Sequence, residues 1–366
     1  MESWPRSTFS CDCCRETILA GYVSRSVMHY SVVHLDSTQS VAKCPIRTFS
    51  KPHVRMNTSG NPLVSVCIPT HDDAPVVGDA LRSAMRQEYS PLEILVVDNY
   101  SSDTTWPRVQ GIARGDARVR LMRNPENIGM ARNFNACIQS ATGEYLLILC
   151  ADDAMKEGCV ALLAGALREH PSAVMAACGR TFTDQNLRPV RVRRSRSRKE
   201  VVEQAEMLRE CFAHGNQIGE PSAVMFRRAA ALRGFDSDYS QAIDLEMWFH
   251  LLEHGAVVLL PETMSLIRQH GDQTTQMNIP SGRIVKDKQR LFRRYAARAA
   301  RGLTFLEKLA WDSRMASSVA RTKVAGGRIE VADLSELFYS AIFLWLLLPL
   351  AELGWRAREL IGNQRS

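Results

Sequence analysis

The chain has 366 residues, 45% of them hydrophobic and 23% charged. At ~150 residues per domain that is about two domains, or one large domain with appendages, of ordinary globular composition, which excludes wholesale disorder, collagen and coiled coil. The net charge of +7 equals that of one acid-free segment, residues 188–199, which holds Arg188, Arg191, Arg193, Arg194, Arg196, Arg198 and Lys199. The rest of the chain is therefore neutral overall, and a nucleic-acid protein, which wants a broad basic face and a reading element, is not expected.

Residues 1–61 show neither helical nor strand periodicity and read as a poorly patterned extension; the character changes at Met56, which is read as the biological start, with the upstream part of little structural weight. Cys11, Cys13 and Cys14 form the one cysteine cluster, and only Cys44 and His53 lie near enough in sequence to complete a zinc site. Cys67, Cys137, Cys150 and Cys178 sit in apolar runs and read as core residues of a reducing compartment. The opening residues lack the basic and apolar regions of a secretory signal, so a cytoplasmic location is expected.

From Leu63 the pattern is regular. Strands are predicted at 63–69, 92–98, 119–123, 145–150 and 173–178, with helices at 76–87, 104–114, 129–140 and 156–170 between and after them. The runs at 63–69 and 92–98 read as strands buried on both faces. Strands alternating with helices of that length imply βαβ units and a mainly parallel sheet, with ligands beyond the carboxyl ends of the strands.

Four consecutive strand ends deliver polar groups to that edge. The first ends in Pro69-Thr70-His71-Asp72-Asp73 and the second in Asp98-Asn99-Tyr100-Ser101. The third leads into Asn127, Gly129 and Arg132, and the fourth into Cys150-Ala151-Asp152-Asp153. A carboxylate such as Asp98 accepts a hydrogen bond from the imide N–H of uracil or thymine. Gly129 at a helix start permits close backbone approach of an anionic phosphate, with Arg132 one turn in. Adjacent carboxylates at 152 and 153 suit a hard divalent cation shared with substrate phosphates. Taken singly, Asp98 and the Asp-Asp pair are as readily caps or turn residues; it is their order along one array that is specific.

VSVCIPTHD, LEILVVDNYSSDTT, NIGMARNFN and YLLILCADD, in that order, resemble the family 2 glycosyltransferases. The resemblance continues through GEPSAVMFRR (219–228), RGFDSDYSQAIDLEMWFHLLEHG (233–255) and MSLIRQHGDQTT (264–275), and covers roughly residues 62–275. It implies an α/β GT-A (Rossmann-like) fold and inverting, metal-dependent transfer from a nucleotide-sugar. By the same resemblance, Pro69, Thr70 and Asp72 line the nucleotide site and Asp98 holds the base. Asn127 and Arg132 face the diphosphate. Asp152 and Asp153 bind Mn2+ or Mg2+, and His270 lies near the metal or diphosphate. Asp244 is the implied catalytic base. The resemblance is broken at Cys150, where the metal motif's first Asp is expected, and at Ile243, where Glu is common. Glu246, two residues on from Asp244, is kept as an alternative base.

Residues 188–199 read as an exposed loop suited to an anionic acceptor such as a lipid-linked diphosphate sugar, or simply as a solvated loop. Helices are expected at 201–212 and 245–254. Residues 280–332, with apolar points at Phe292, Tyr295, Phe305, Leu306, Leu309 and Trp311, read as a helical appendage that docks on the core, on a partner or on a membrane surface. Leu337–Ala351 is uncharged but shorter than the ~20 residues of a membrane span, and is read as a buried or interfacial helix.

The expected organisation is thus an extension at 1–61, a catalytic domain at 62–278 and a helical region at 279–366. The expected activity is transfer of a UDP-, dTDP- or GDP-linked sugar to a glycan or lipid-linked acceptor for surface polysaccharide or glycolipid, at the cytoplasmic face of a membrane. The competing expectation is a silent nucleotide-sugar binder of the same fold.

Overall fold

The computed structural model describes residues 60–269, 279–299 and 303–327. The elements run β1 (Val64–Thr70), α1 (Val77–Met85), β2 (Leu92–Asp98), α2 (Thr105–Ala113), β3 (Val119–Arg123), α3 (Met130–Ser140), β4 (Tyr145–Ile148), β5 (Ala154–Met155) and α4 (Cys159–Glu169). There follow β6 (Ala173–Thr183), β7 (Pro189–Arg193), β8 (Glu200–Val202), α5 (Gln204–His214), β9 (Val224–Arg227), α6 (Ile243–Leu251), β10 (Ala256–Arg268), α7 (Arg283–Ala299) and α8 (Phe305–Val324).

One ten-stranded sheet runs β3-β2-β1-β4-β9-β6-β10-β5, with β7 paired to β6 and β8 to β10. β1, β2, β3 and β4 are mutually parallel in sheet order, as are β6 and β10. β9 inserts antiparallel between β4 and β6. The α/β class, the parallel half of the sheet and the flanking helices are as expected.

The continuous apolar runs are explained by two packed faces. Along β1, Val64, Val66 and Ile68 face a core shared with α1 and α4, while Cys67 faces the other core. β2 divides the same way, Ile94 and Val96 against Leu95 and Val97. Val77, Ala80, Leu81 and Ala84 form the buried stripe of α1, the i, i+3, i+4, i+7 pattern of an amphipathic helix.

The opposite core is aromatic and includes the C-terminal helices. Phe212 of α5 meets Phe249 of α6, Phe292 of α7 and Trp311 of α8 edge-on at 5.2–5.5 Å, and Phe292 stacks on Trp311 at 5.1 Å. Of the docking modes left open by the sequence, the described helices of the C-terminal region take the one against the core. Phe305 and Leu306 are exceptions and stay exposed. Asp287 of α7 accepts the backbone N–H groups of Ser240, Gln241 and Ala242 at 2.9, 2.6 and 3.1 Å, tying α7 to the turn that enters α6.

Two expectations need correction or a limit. The arginine-rich segment is not wholly a loop: residues 189–193 form strand β7, whose backbone pairs antiparallel with the carboxyl end of β6. Among the described residues no helix is long and apolar enough to cross a membrane. The readings for residues 1–59, His270 and 337–351 fall outside the described residues.

Candidate active site at the carboxyl ends of the strands

The ends of β1, β2 and β3 converge, and side-chain hydrogen bonds lock their loops together. Asp72 adopts φ 54°, and its carboxylate accepts the backbone N–H groups of Ser102 (2.7 Å) and Asp103 (3.2 Å). The Ser102 N–H leads in holding its carboxyl below the usual carboxylate range. Thr70 donates to Asp73 at 2.9 Å. The next loop is an asparagine lattice. Asn99 donates to Asn127 (2.8 Å) and accepts from Asn124 (3.0 Å) and from Ile128 N–H (3.0 Å). Asn124 also donates to Asn133, whose amide donates to Val97 O.

This lattice presents the start of α3. Gly129 has φ 82°, a conformation that favours glycine, with open space where a Cβ would stand. Asn127 donates to His71 at 2.9 Å and so spans two loops. Arg132 is exposed and makes no hydrogen bond or ion pair among the described residues. It is therefore a free cation one turn inside a helix N-terminus, the arrangement that favours an anion.

Asp98 lies at the expected strand end but does not open to the cleft. It is fully buried; Arg123 Nε is 3.0 Å from its carboxylate, and Ser101 binds it through both N–H and hydroxyl. The carboxylate expected to hold the base is satisfied here by the nearest cation and by Ser101. The open cavity beside it, about 550 Å3, is lined by Tyr100, Ser101, Ser102, Arg123 and Asn124. Asp98 holds Arg123, and Arg123 in turn sits 5.4 Å from the Tyr100 ring centroid.

Past β4 the chain turns through Cys150, Ala151, Asp152 and Asp153. Ser222 Oγ accepts Cys150 N–H (3.0 Å) and donates to Asp153 (2.6 Å). Arg268 N–H donates to the other Asp153 oxygen (3.0 Å), and Arg268 Nε donates to Asp152 O (2.7 Å). Arg268 also reaches Asp79 of α1 at 2.8 Å. The Asp-Asp turn is thus stapled to the turn before β9, to the end of β10 and to α1.

The ligating atoms of Cys150, Asp152 and Asp153 lie within 4.8 Å of one another. Their chemistry differs. Asp153 is buried with both oxygens taken, and burial, then the charge of Asp152, pushes its carboxyl well above the carboxylate range. In this arrangement Asp153 supports the turn, and its place in the cluster beside Asp152 is that of the expected second carboxylate. Burial, then Asp153 and Asp152, likewise pushes the Cys150 thiol well up, leaving it a neutral thiol that a hard cation does not favour. Asp152, less buried, is the remaining carboxylate. One protein carboxylate plus substrate phosphates is a donor set that Mg2+ accepts. The residues therefore fit a divalent ion carried in part by a diphosphate, not an all-protein cage.

Asp244 opens α6, where Asn216 donates to its carboxylate at 3.2 Å. Burial raises this carboxyl from 3.8 to about 7, the charge of Glu220 adds to the rise, and the N–H of Leu245 and the charge of Arg180 oppose it. Asp244 lies near enough to Cys150 for its charge to act on that thiol. Its surroundings are built by the loop at 216–220. Asn216 accepts from Ile218 and Gly219 N–H and donates to Gly219 O. Trp248 Nε1 donates to the same Gly219 O at 2.8 Å, and Arg180, fully buried, lies 2.7 Å from Glu220.

Glu246 is corrected as an alternative base. It is fully buried in a bidentate pair with Arg233 (2.8 and 2.6 Å), and the Tyr295 hydroxyl donates to it at 2.8 Å. It points away from Asp244 because two positions along a helix are about 200° apart. Asn216, Ser222 and Arg268 were given no role from the sequence; Ser222 and Arg268 lie within quoted motifs, and Asn216 in the loop just before one, but which groups they reach depends on contacts between distant elements.

This arrangement has counterparts among known proteins. Residues 65–234 match the family model described as glycosyl transferase family 2. An uncharacterised protein of Mycobacterium tuberculosis is 33% identical over 244 residues, 63% of this chain and 74% of that one. The fold is similar to that of Staphylococcus aureus TarS residues 1–349 in complex with UDP-GlcNAc (TM-score 0.52, 16% identity, covering 80% of this chain and 91% of that one). It is also similar to the Pyrobaculum calidifontis mannosyltransferase PcManGT with GDP-Man and Mn2+ (TM-score 0.50, 18% identity, covering 85% and 90%). With the strand-end loops, the Asp-Asp turn and the α6 carboxylate set in one mainly parallel sheet of GT-A type, the chain belongs to glycosyl transferase family 2.

Proposed function

We propose that the protein transfers a sugar from a nucleoside-diphosphate sugar to an acceptor hydroxyl with inversion, and that Asp244 is the base. The observation that supports this most is Asp244 itself. Its carboxyl, raised to about 7, stands on the same sheet edge as the Asp-Asp turn. A general base works best with its pKa near the working pH.

In this reading Tyr100, Ser101, Ser102 and Arg123 receive the base, with Pro69, Thr70 and Asp72 fixing the loop beside it. Asn127, Gly129 N-terminal to α3 and Arg132 hold the diphosphate. Asp152 would hold Mn2+ or Mg2+, with His270 as a second protein contact; such an ion supplies neutralisation of the leaving diphosphate. Asp244 Oδ takes the acceptor proton as its oxygen attacks the anomeric carbon from the face opposite the leaving group. Asn216 holds Asp244 in place. Residues 62–278 carry this chemistry, and the helices from 279 onward brace α5 and α6. The acceptor is a glycan or a lipid-linked saccharide at the cytoplasmic face of a membrane, in surface polysaccharide or glycolipid synthesis.

A nucleotide-sugar binder without turnover is the second reading, favoured by the neutral Cys150 thiol in the metal turn. The test is release of nucleoside diphosphate from UDP-, dTDP- and GDP-sugars, with the anomeric configuration of the product read by NMR. Release that Asp244→Asn abolishes while donor affinity persists supports transfer. Donor binding with no release supports the binder.

A further inference from the structure

We propose that the outer face of β7 is a docking surface for an anionic lipid bilayer. The seven cations of residues 188–199 are not equivalent. Three are committed within the fold. Arg193 donates to Asn216 O at 2.9 Å, Arg196 binds Glu210 at 2.7 Å, and Lys199 pairs with Glu169 at 2.5 Å. Arg191 lies over the Phe182 ring, 4.5 Å from its centroid. Arg188, Arg194 and Arg198 are exposed and have no side-chain hydrogen bond or ion pair among the described residues.

Strand alternation then sorts the segment. Alternation holds over Arg191–Arg193, where Arg191 lies over Phe182 and Arg193 reaches Asn216 while Val192 between them is exposed; Val190 stands at the register shift of β7 against β6, and Arg188 and Arg194 flank the strand. Val190 is 66% exposed and Val192 48%. β7 pairs only with β6, so its second edge is unpartnered among the described strands. Two valines bracketed by free arginines combine apolar surface with guanidinium groups that pair with phosphates. A bilayer interface offers both complements at once, acyl boundary and anionic headgroup. A soluble anion would use the arginines and leave the valines in water.

The surface is coupled to the candidate site. Arg193, on the inner face of β7, holds the carbonyl of Asn216, whose side chain holds Asp244. Docking through β7 sets the Asp244 end of the site next to the bilayer. That consequence for a lipid-linked acceptor rests on the proposed transfer; the docking itself does not.

The test is co-sedimentation of the full chain with vesicles of phosphatidylglycerol and phosphatidylcholine, against phosphatidylcholine alone. The protein is expected to bind only the anionic vesicles, and less as salt rises. Each of Arg188→Gln and Arg194→Gln should lower partitioning about fivefold, the equivalent of about 1 kcal/mol per surface arginine. Val190→Ser with Val192→Ser should weaken binding to the same vesicles at fixed salt, which a purely electrostatic contact would not show. These positions are exposed on β7 or directly flanking it, so far-ultraviolet circular dichroism should be unchanged. Absence of binding to anionic vesicles overturns the proposal. So does full binding by the arginine double variant, which would place the contact elsewhere, or binding indifferent to the valine pair, which would reduce the surface to a soluble-anion site.

Discussion

Asp244→Asn removes the proposed base and changes little else, since the amide is isosteric and Asn216 can still donate to its oxygen. Loss of a positioned general base costs about 10²- to 10⁴-fold in kcat. The wild-type pH profile is equally informative. With the carboxyl at about 7, kcat/KM should fall tenfold per pH unit below that value and level off above it. Asn216→Ala withdraws a donor to the ionised form, so the midpoint should move to higher pH. Stability carries the opposite signature. The folded-state value lies above the ordinary 3.8, so the fold prefers the protonated carboxyl, and this stabilisation is full below pH ~4 and lost as pH rises through about 7. At about 1.4 kcal/mol per unit the ceiling is about 4 kcal/mol; Asp244 is only part-buried, so on the order of 1–2 is expected. Urea unfolding should therefore find Asp244→Asn more stable than wild type at pH 8 and equal to it near pH 4. A flat pH–rate profile across 6 to 8, or an Asp244→Asn enzyme within tenfold of wild type, would refute the reasoning.

Three further outcomes follow from the same contacts. Cys150→Asp puts a second carboxylate beside Asp152, and Mn2+ affinity, followed by calorimetry with a nucleoside diphosphate present, should tighten by about one order of magnitude. Glu246→Gln leaves Arg233 without its buried counter-charge and should cost about 3–5 kcal/mol in urea unfolding, while the midpoint of the pH–rate profile stays in place. Asp287→Ala orphans three backbone N–H groups at the entry to α6 and should cost about 1–3 kcal/mol; Asp287→Asn, which keeps an acceptor oxygen, should recover part of it.

Much of the βαβ half of the fold was legible because β1 and β2 are buried on both faces and α1 is amphipathic, so these three fall within a residue or two of expectation. The β9 insertion and the thirteen-residue β10 were not read, because their pairing is set by contacts across the sheet and not by local period. In the site, strand-end position was legible but side-chain direction was not. Asp98 and Asp153 stand where expected, yet Arg123, Ser222 and Arg268, 25 to 115 residues away, turn their oxygens inward. Glu246 differs for the same reason, its partners Arg233 and Tyr295 being recruited from other elements.

The central claim is that Asp152 and a bound diphosphate share a divalent ion within a nucleotide site. Thermal unfolding with UDP, dTDP, GDP and CMP, each with and without Mn2+, tests it most directly. A ligand at a hundred times its dissociation constant adds about 2.7 kcal/mol of stability, an easily read shift in Tm. One diphosphate should stabilise the wild type only with Mn2+, and Asp152→Ala should abolish that shift. Stabilisation independent of both Mn2+ and Asp152, or none with any of the four nucleotides, would contradict it.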